Sequence, residues 1–388
     1  MPGSYDFFDP AVREDPYPLF DRLREQDPVY QTDFGYWYVS RYADANALVR
    51  DARLEAGRGV ADSFGLSEGP LHDVMSTWMM SLNGTAHTRV RRLISRAFTP
   101  RAVEALRPAI EARTAELVGA IVAKGGGDIV SELAFPLPIE VVRLLFGVAP
   151  DEWDREVVAL FDPRRAAPGG FLEPMQRLVE YFGRVVPERR ASPGDDMFSA
   201  MVRPDDDGDS LGDRELIANA ILLVTAGFET TMGLITLAVL TLLRHPPQLA
   251  LLRTRPDLVT NAVDEVLRFE PAALSTTRYT PVELEVAGRR IPAGSNILFS
   301  VIAANRDPER YRDPGAFDVA RDDIRPLTFG GGAHVCIGAA LARLEAEVAI
   351  TTLLARTSSI TLAEEALTWQ ATNPTVRRPE RLVVACTA

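Results

Sequence analysis

Cys336 ends a glycine-rich stretch, Phe329-Gly-Gly-Gly-Ala-His-Val-Cys336, and Ile337-Gly338 leads straight into a helical pattern that starts at Ala339. A thiol at the mouth of a helix meets backbone N–H groups without intrahelical acceptors and the positive end of the helix dipole. Both favour the thiolate, the form that ligates metals. The glycines allow backbone to approach something flat and large. Phe329 puts an apolar face next to the sulfur, and His334 adds a donor. The plainer alternative is a buried cysteine after a glycine turn. A dinucleotide loop is excluded, because no strand-plus-helix unit with a later acidic residue surrounds these glycines.

Three further groups carry chemistry. Ala226-Gly-Phe-Glu-Thr-Thr231 lies inside a long apolar helical pattern. Gly227 in a helix interior costs about 1 kcal/mol against alanine. Glu229 and Thr230 are polar groups that need partners if buried. Together they predict a local distortion that leaves space beside something bound. Glu265 and Arg268 have i,i+3 spacing, which alone signals a surface ion pair worth a few tenths of a kcal/mol. His87 and Arg91 share a helix face at i,i+4, among Arg89, Arg92 and Arg96.

The cysteine stretch resembles the haem-binding signature of cytochrome P450 monooxygenases, Phe-Gly-x-Gly-x-His-x-Cys-x-Gly, with Phe329, Gly330, Gly332, His334, Cys336 and Gly338 filling every specified position. Thiolate ligation of haem iron is characteristic of that family. The resemblance implies haem b with Cys336 as the iron ligand. It implies that Ala226 and Gly227 border the cofactor, Thr230 contacts dioxygen and Glu229 relays protons. It places His87, Arg91, Arg278 and His334 as propionate partners, with Ala342 also in the cofactor-binding set. Glu265 and Arg268 resemble the family's Glu-x-x-Arg pair, and Arg321 matches its third member, a structural group. The residues before His87, Asn83-Gly-Thr-Ala86, depart from the family's frequent Asp-Pro-Pro-Glu.

By the same resemblance, electrons come from NAD(P)H through a separate ferredoxin reductase and ferredoxin. The chain has too few cysteines to ligate an iron–sulfur cluster itself. Arg89, Arg92, Arg96 and Arg343 are the expected ferredoxin-docking residues. The substrate expected is a bulky, mostly apolar or aromatic small molecule of secondary metabolism, because Ala272-Ala-Leu-Ser-Thr276 is built of small residues. Arg58, Arg164 and Arg165 are possible anchors for an anionic substrate, with a solvated role the plainer one. Peroxide-driven or oxidative-coupling chemistry and a non-catalytic haem sensor are the alternative readings.

These residues need elements to hold them. The pattern predicts a short helix at 16–25, a strand at 36–39 and a helix at 43–49. It leaves 56–77 irregular and predicts helices at 87–98 and 101–123, a break at Gly125-Gly-Gly127 and a loop at 163–170. The acidic loop 204–209 lacks the length and terminal glutamate of a calcium loop. A helix over 211–244 follows, with Ser210 and Asp213 at capping-box spacing, and His245-Pro-Pro247 stops it. Small β regions are expected at 280–301 and 358–385. The fold class expected is mainly α with minor β, the cytochrome P450 fold with a long central helix over the haem, as a single domain 1–388.

Composition agrees. The chain has 388 residues, 46% apolar and 25% charged, so it can bury a core large enough to enclose a cofactor. A net charge of −12 argues against nucleic acid as a partner. No N-terminal apolar run or signal-peptide pattern is present, so the expectation is a cytoplasmic protein with no membrane contact, and a monomer. Two cysteines, Cys336 and Cys386, give no disulfide framework. Lys124 is the one lysine among 42 basic residues, a bias that points to a GC-rich, actinobacterial genome.

Overall fold

Segment 217–243 is apolar nearly all round, and a helix without a polar face has to be covered. A computed structural model describes residues 5–7, 9–56, 66–153, 157–161, 172–371, 373 and 375–388. In it this segment lies within one helix, Asp213–Arg244, about 48 Å long at 1.5 Å per residue. The helix is long and apolar enough to cross a membrane, but 67% of its most apolar window is buried inside the protein. Its start differs from the Ser210/Asp213 box expected. The Gly212 N–H donates to the Glu215 carboxylate at 2.9 Å, while Asp213 pairs with Arg190. Glu215 takes the capping position because it stands three residues beyond the true cap.

The chain divides into two compact units. One comprises Met1–Gly57, Arg113–Ala134 and Thr230–Ala388, and the other Arg58–Ala112 and Phe135–Glu229. The first holds the β structure. Its four-stranded sheet runs Val29–Gln31, Trp37–Val39, Ser295–Ser300, Ser275–Thr280, antiparallel at both ends and parallel in the middle. Val29, Val39, Ile297 and Phe299 bury its inner face, with Ala45 and Leu48 of the helix Tyr42–Leu48 packed in the same cluster. A three-stranded antiparallel sheet has the C-terminal strand Val383–Thr387 at its centre, between Gly126–Asp128 and Ser359–Leu362. Gly126 is there by necessity: its φ is +148°, and a Cβ would lie 2.2 Å from the Val384 carbonyl oxygen.

The second unit is helical, with Gly84–Ser95, Pro136–Phe146 and Leu172–Ala191 among its elements. Phe146 stacks on Trp153 and meets Phe182 and Phe198 at a tilt, and the Trp153 indole N–H donates to the Ile139 carbonyl at 3.1 Å. Two local expectations change. A helix, Pro70–Ser76, falls in the stretch expected to be irregular, started by proline at its first turn. The long helix expected over 101–123 is two, Pro100–Glu104 and Arg107–Ala123, because Pro108 has no N–H to continue the first. The predicted loop 163–170 and Arg58, Arg164 and Arg165 lie outside the described residues.

Candidate functional site

Two short turns build the cysteine loop. Leu327–Phe329 and Gly332–His334 are single 3₁₀ turns, and Gly330 and Gly332 link them at φ +67° and +66°. These left-handed values cost a side chain energy that glycine avoids. Gly332 also sits against the Val49 carbonyl oxygen and Arg50 Cα, where a Cβ would come within 3.0 and 3.1 Å. The Cys336 N–H donates to the Phe329 carbonyl at 2.9 Å, which fixes the sulfur-bearing residue over the loop. The helix Ala339–Arg356 begins three residues later with Gly338 as its cap, and the Ala342 N–H donates to the Gly338 carbonyl at 2.9 Å. Cys336 is exposed and in no disulfide, while Phe329, Gly330, His334, Gly338 and Ala342 are half-buried.

Arg278 lies in the same unit, on the strand Ser275–Thr280 opposite Ile297. It is 7% exposed and donates to the Thr277 carbonyl at 2.8 Å. Among the described residues no carboxylate pairs with it, and burial lowers its pKa. A buried guanidinium with no anion beside it suits an anionic group such as a haem propionate. The residues present therefore fit haem: an accessible thiol on a glycine loop, and a buried cation to meet a carboxylate. Arg278→Ala is expected to speed haem loss by roughly 10- to 100-fold, since a hydrogen bond to a charged group contributes about 1.5–3 kcal/mol. Transfer of haem to apomyoglobin measures it, and a wild-type rate would remove Arg278 from the cofactor site.

The Glu265/Arg268 pair is not on the surface. Both side chains are fully buried on the helix Val259–Phe269, 2.7 Å apart. Arg268 also donates to the carbonyls of Asn305, Pro314 and Ala316. Arg321 reaches Glu265 at 3.1 Å, and the Asp318 N–H reaches the same carboxylate at 3.1 Å. The three residues singled out in sequence are thus one closed network.

The predicted distortion at Gly227 is absent: Asp213–Arg244 is helical throughout. A cost of about 1 kcal/mol does not break a helix held by buried apolar residues on both sides. What opens this helix is its surface. Ala226 and Thr230, four residues apart on one face, are exposed between buried Val224, Phe228 and Met232. Gly227 and Glu229 are half-buried beside them. A Cβ at Gly227 would meet only Val142 Cγ2 at 3.5 Å, so space and not crowding surrounds it. Farther along, Gly233 is crowded: its Cβ would lie 2.7 Å from that of Ala272. Ala273 bridges to Val376.

In the second unit, His87 is 3% exposed and Arg91 half-buried on Gly84–Ser95. Of the neighbouring arginines, Arg89 and Arg92 are neutralised. Arg89 binds Asp209 at 2.9 Å and Glu215 at 2.8 Å, and Arg92 binds Asp205 and, at 2.9 Å, Asp209. The acidic loop is the counter-charge of this helix. In the first unit Arg343 pairs with Asp264 at 2.7 Å and lies over the Phe329 ring at 4.6 Å. Sequence reasoning missed Arg50, whose guanidinium rests where a Gly331 side chain would be. It also missed Glu345, 3% exposed, whose carboxyl is held well above the ordinary range by burial. An acid on the side of the apolar residues Leu341, Leu344 and Val348 was the available signal for Glu345.

Comparison with known proteins agrees with this geometry. The family model "Cytochrome P450" matches residues 175–376. 6-Deoxyerythronolide B hydroxylase of Saccharopolyspora erythraea is 40% identical over 370 residues, 90% of each chain. The crystal structure of P450BioI in complex with a hexadec-9Z-enoic acid ligated acyl carrier protein is similar at TM-score 0.87 and 34% identity, covering 97% of this chain and 100% of that one. Epothilone D-bound cytochrome P450epoK is similar at TM-score 0.90 and 31% identity, covering both chains fully.

Proposed function

This chain belongs to the cytochrome P450 family, a family of haem-dependent oxidoreductases, and on that premise we propose that it inserts one atom of dioxygen into a bulky, mostly apolar or aromatic small molecule of secondary metabolism. The observation that carries the reading is the accessible Cys336 thiol, held by its own N–H on a glycine loop at the head of a helix. Haem, when bound, supplies the iron at which dioxygen is activated, with the thiolate donating electron density. Cys336 would ligate that iron, and Phe329, Gly330, Gly338 and Ala342 would line its site. Arg278, His334, His87 and Arg91 would hold the propionates. Thr230 Oγ1 positions dioxygen, with Ala226 and Gly227 leaving room for it, and the Glu229 carboxylate passes protons inward.

The substrate class draws support from a relative that hydroxylates 6-deoxyerythronolide B and a neighbour that binds epothilone D. Gly233 and Ala272 are small because they pack against each other, whereas the half-buried Ala273 beside them is consistent with a large ligand. NAD(P)H is the electron source, through a ferredoxin reductase and a ferredoxin. The enzyme works as a cytoplasmic monomer, with its 388 residues forming one catalytic domain.

A screen for substrate-induced shifts of the Soret band identifies a ligand. The test then follows turnover of that ligand with ferredoxin, reductase, NADPH and ¹⁸O₂. The product gains a single ¹⁸O atom. Equal turnover with peroxide alone would transfer the protein to the peroxide-driven class. In the same assay Thr230→Ala loses product formation by about 10²-fold or more, the usual scale of positioned proton transfer. NADPH is still consumed and peroxide appears in place of product. Product formed per NADPH at the wild-type ratio would sink the role given to Thr230.

A further inference from the structure

The short helix Pro10–Glu14 sends Arg13 to a segment 357 to 363 residues later in the chain. Its guanidinium donates to the carbonyls of Gln370 and Val376 at 3.0 Å each and of Asn373 at 2.9 Å. There the chain doubles back: Trp369 bridges to Pro379, and the Gln370 N–H donates to the Arg378 carbonyl at 3.0 Å. Carbonyls only accept, so three that converge need a donor between them, and the rigid fork of arginine supplies it. The returning limb answers in kind. Arg377, 2% exposed, donates to the carbonyls of Arg13 and Glu14 at 2.7 Å each and pairs with Glu270. The Tyr17 hydroxyl adds a bond to the Phe269 carbonyl at 2.8 Å. Residues 13–17 thus grip both the segment around Val376 and the segment that begins at Phe269.

These two segments meet along a seam. Ala273 bridges to Val376, the Leu274 N–H donates to the Thr375 carbonyl at 3.0 Å, and the Arg377 N–H donates to the Ala272 carbonyl at 2.8 Å. The seam abuts the long helix. A Cβ at Gly233 would lie 2.7 Å from the Ala272 Cβ and 3.9 Å from Val376 Cγ1. Gly233 stands three residues beyond Thr230, on the same helix face. All of these residues belong to one compact unit. We propose that Arg13 is a specificity-determining positioning residue: it fixes the seam, and with it how far Val376 and Ala273 stand from the helix turn that carries Thr230. This rests on the haem monooxygenase reading above, in which Thr230 and Ala273 lie beside the bound substrate. Arg13 acts on that site only through Val376 and Ala273. It therefore sets the shape that a bulky ligand meets and leaves the iron ligand untouched.

The test uses haem-loaded enzyme and two readouts. Hydrogen exchange, followed by mass spectrometry, reads the seam without any ligand. In Arg13→Ala, exchange at the Leu274 and Arg377 amides rises about tenfold. The Ile129 amide, which donates to the Leu382 carbonyl beside the three-stranded sheet, keeps its wild-type rate. The second readout is the Soret shift on titration with imidazole and with 4-phenylimidazole. Both bind the iron through the same ring nitrogen, and only the second carries a phenyl group into the space beside Thr230. Imidazole affinity stays at the wild-type value in Arg13→Ala. Affinity for 4-phenylimidazole falls about tenfold, the scale expected when a phenyl ring keeps only part of its burial. Arg13→Lys keeps the charge without the planar fork, and gives the same selective change should the alanine variant not fold. Val376→Ala shows the same selective loss, and Arg13→Ala adds little to it, because both changes act on one wall. Unchanged exchange at Leu274 and Arg377 overturns the grip. Equal losses for both probes, or none for either, overturn the role in specificity. Losses that add in the double variant overturn transmission through Val376. The dithionite-reduced CO spectrum is recorded alongside. A missing thiolate band in wild type overturns the haem reading and the specificity role with it, whereas an intact band with wild-type 4-phenylimidazole binding in Arg13→Ala overturns this inference alone.

Discussion

Cys336→Ala abolishes the long-wavelength Soret band that reduced, CO-bound thiolate haem displays. The expected loss is complete, because the chain has one other cysteine and it is poorly suited to replace the first. Cys386 is buried in the C-terminal strand Val383–Thr387, where burial pushes its thiol pKa up and disfavours the thiolate. Cys336, in contrast, is accessible at the head of a helix whose dipole favours negative charge. Its backbone is pinned to Phe329, so the substitution removes the sulfur and leaves the loop in place. The check is the CO difference spectrum of the dithionite-reduced variant, with circular dichroism to show that it is folded. A retained thiolate band would mean that the iron ligand lies elsewhere.

Glu265→Ala destabilises the protein by about 3–5 kcal/mol, the usual result of removing one partner from a buried charge pair. The cost follows from what remains. Arg268 is fully buried and keeps its three carbonyl acceptors but loses its counter-charge. Arg321 and the Asp318 N–H lose an acceptor at the same time. Glu265→Gln keeps the shape and one acceptor oxygen and is expected to lose less. The urea midpoints of the three proteins report the difference. A Glu265→Ala midpoint within about 1 kcal/mol of the parent would show that the network contributes little, since ordinary surface changes fall within that range.

Both predictions start from residues that could be read in the chain, and the reason is local. The cysteine loop is specified by consecutive residues, with glycines where φ turns positive and a helix directly after. The long helix is specified by a long, predominantly apolar run. Arg268 was legible as a partner of Glu265 because i,i+3 spacing is itself a contact rule. Its burial was not, because the carbonyls of 305–316 reach it only after folding. The same limit explains Arg89 and Arg92. Spacing exposes them on a helix, but the carboxylates that neutralise them are more than a hundred residues away. Pro70–Ser76 was missed because a seven-residue helix is too short to build a periodic pattern. The distortion at Gly227 was wrongly expected because the propensity penalty was weighed without the burial around it. Arg50 had no sequence signal at all, since its importance comes from lying against a glycine of another segment.

The strand Val383–Thr387 stands in the middle of its sheet, and this sets the order in which the protein can be completed during synthesis. Gly126–Asp128 leaves the ribosome early and Ser359–Leu362 late, yet neither has this neighbour until residues 383–387 are released. At roughly 5–20 residues per second, the first of these strands waits on the order of tens of seconds. Nascent chains are therefore expected to carry an unmatched glycine strand for most of translation. Stalling or truncation before residue 383 would leave two strand edges open to other chains. In cells, deleting the strand Val383–Thr387 should then reduce yield through aggregation without touching any group that performs chemistry.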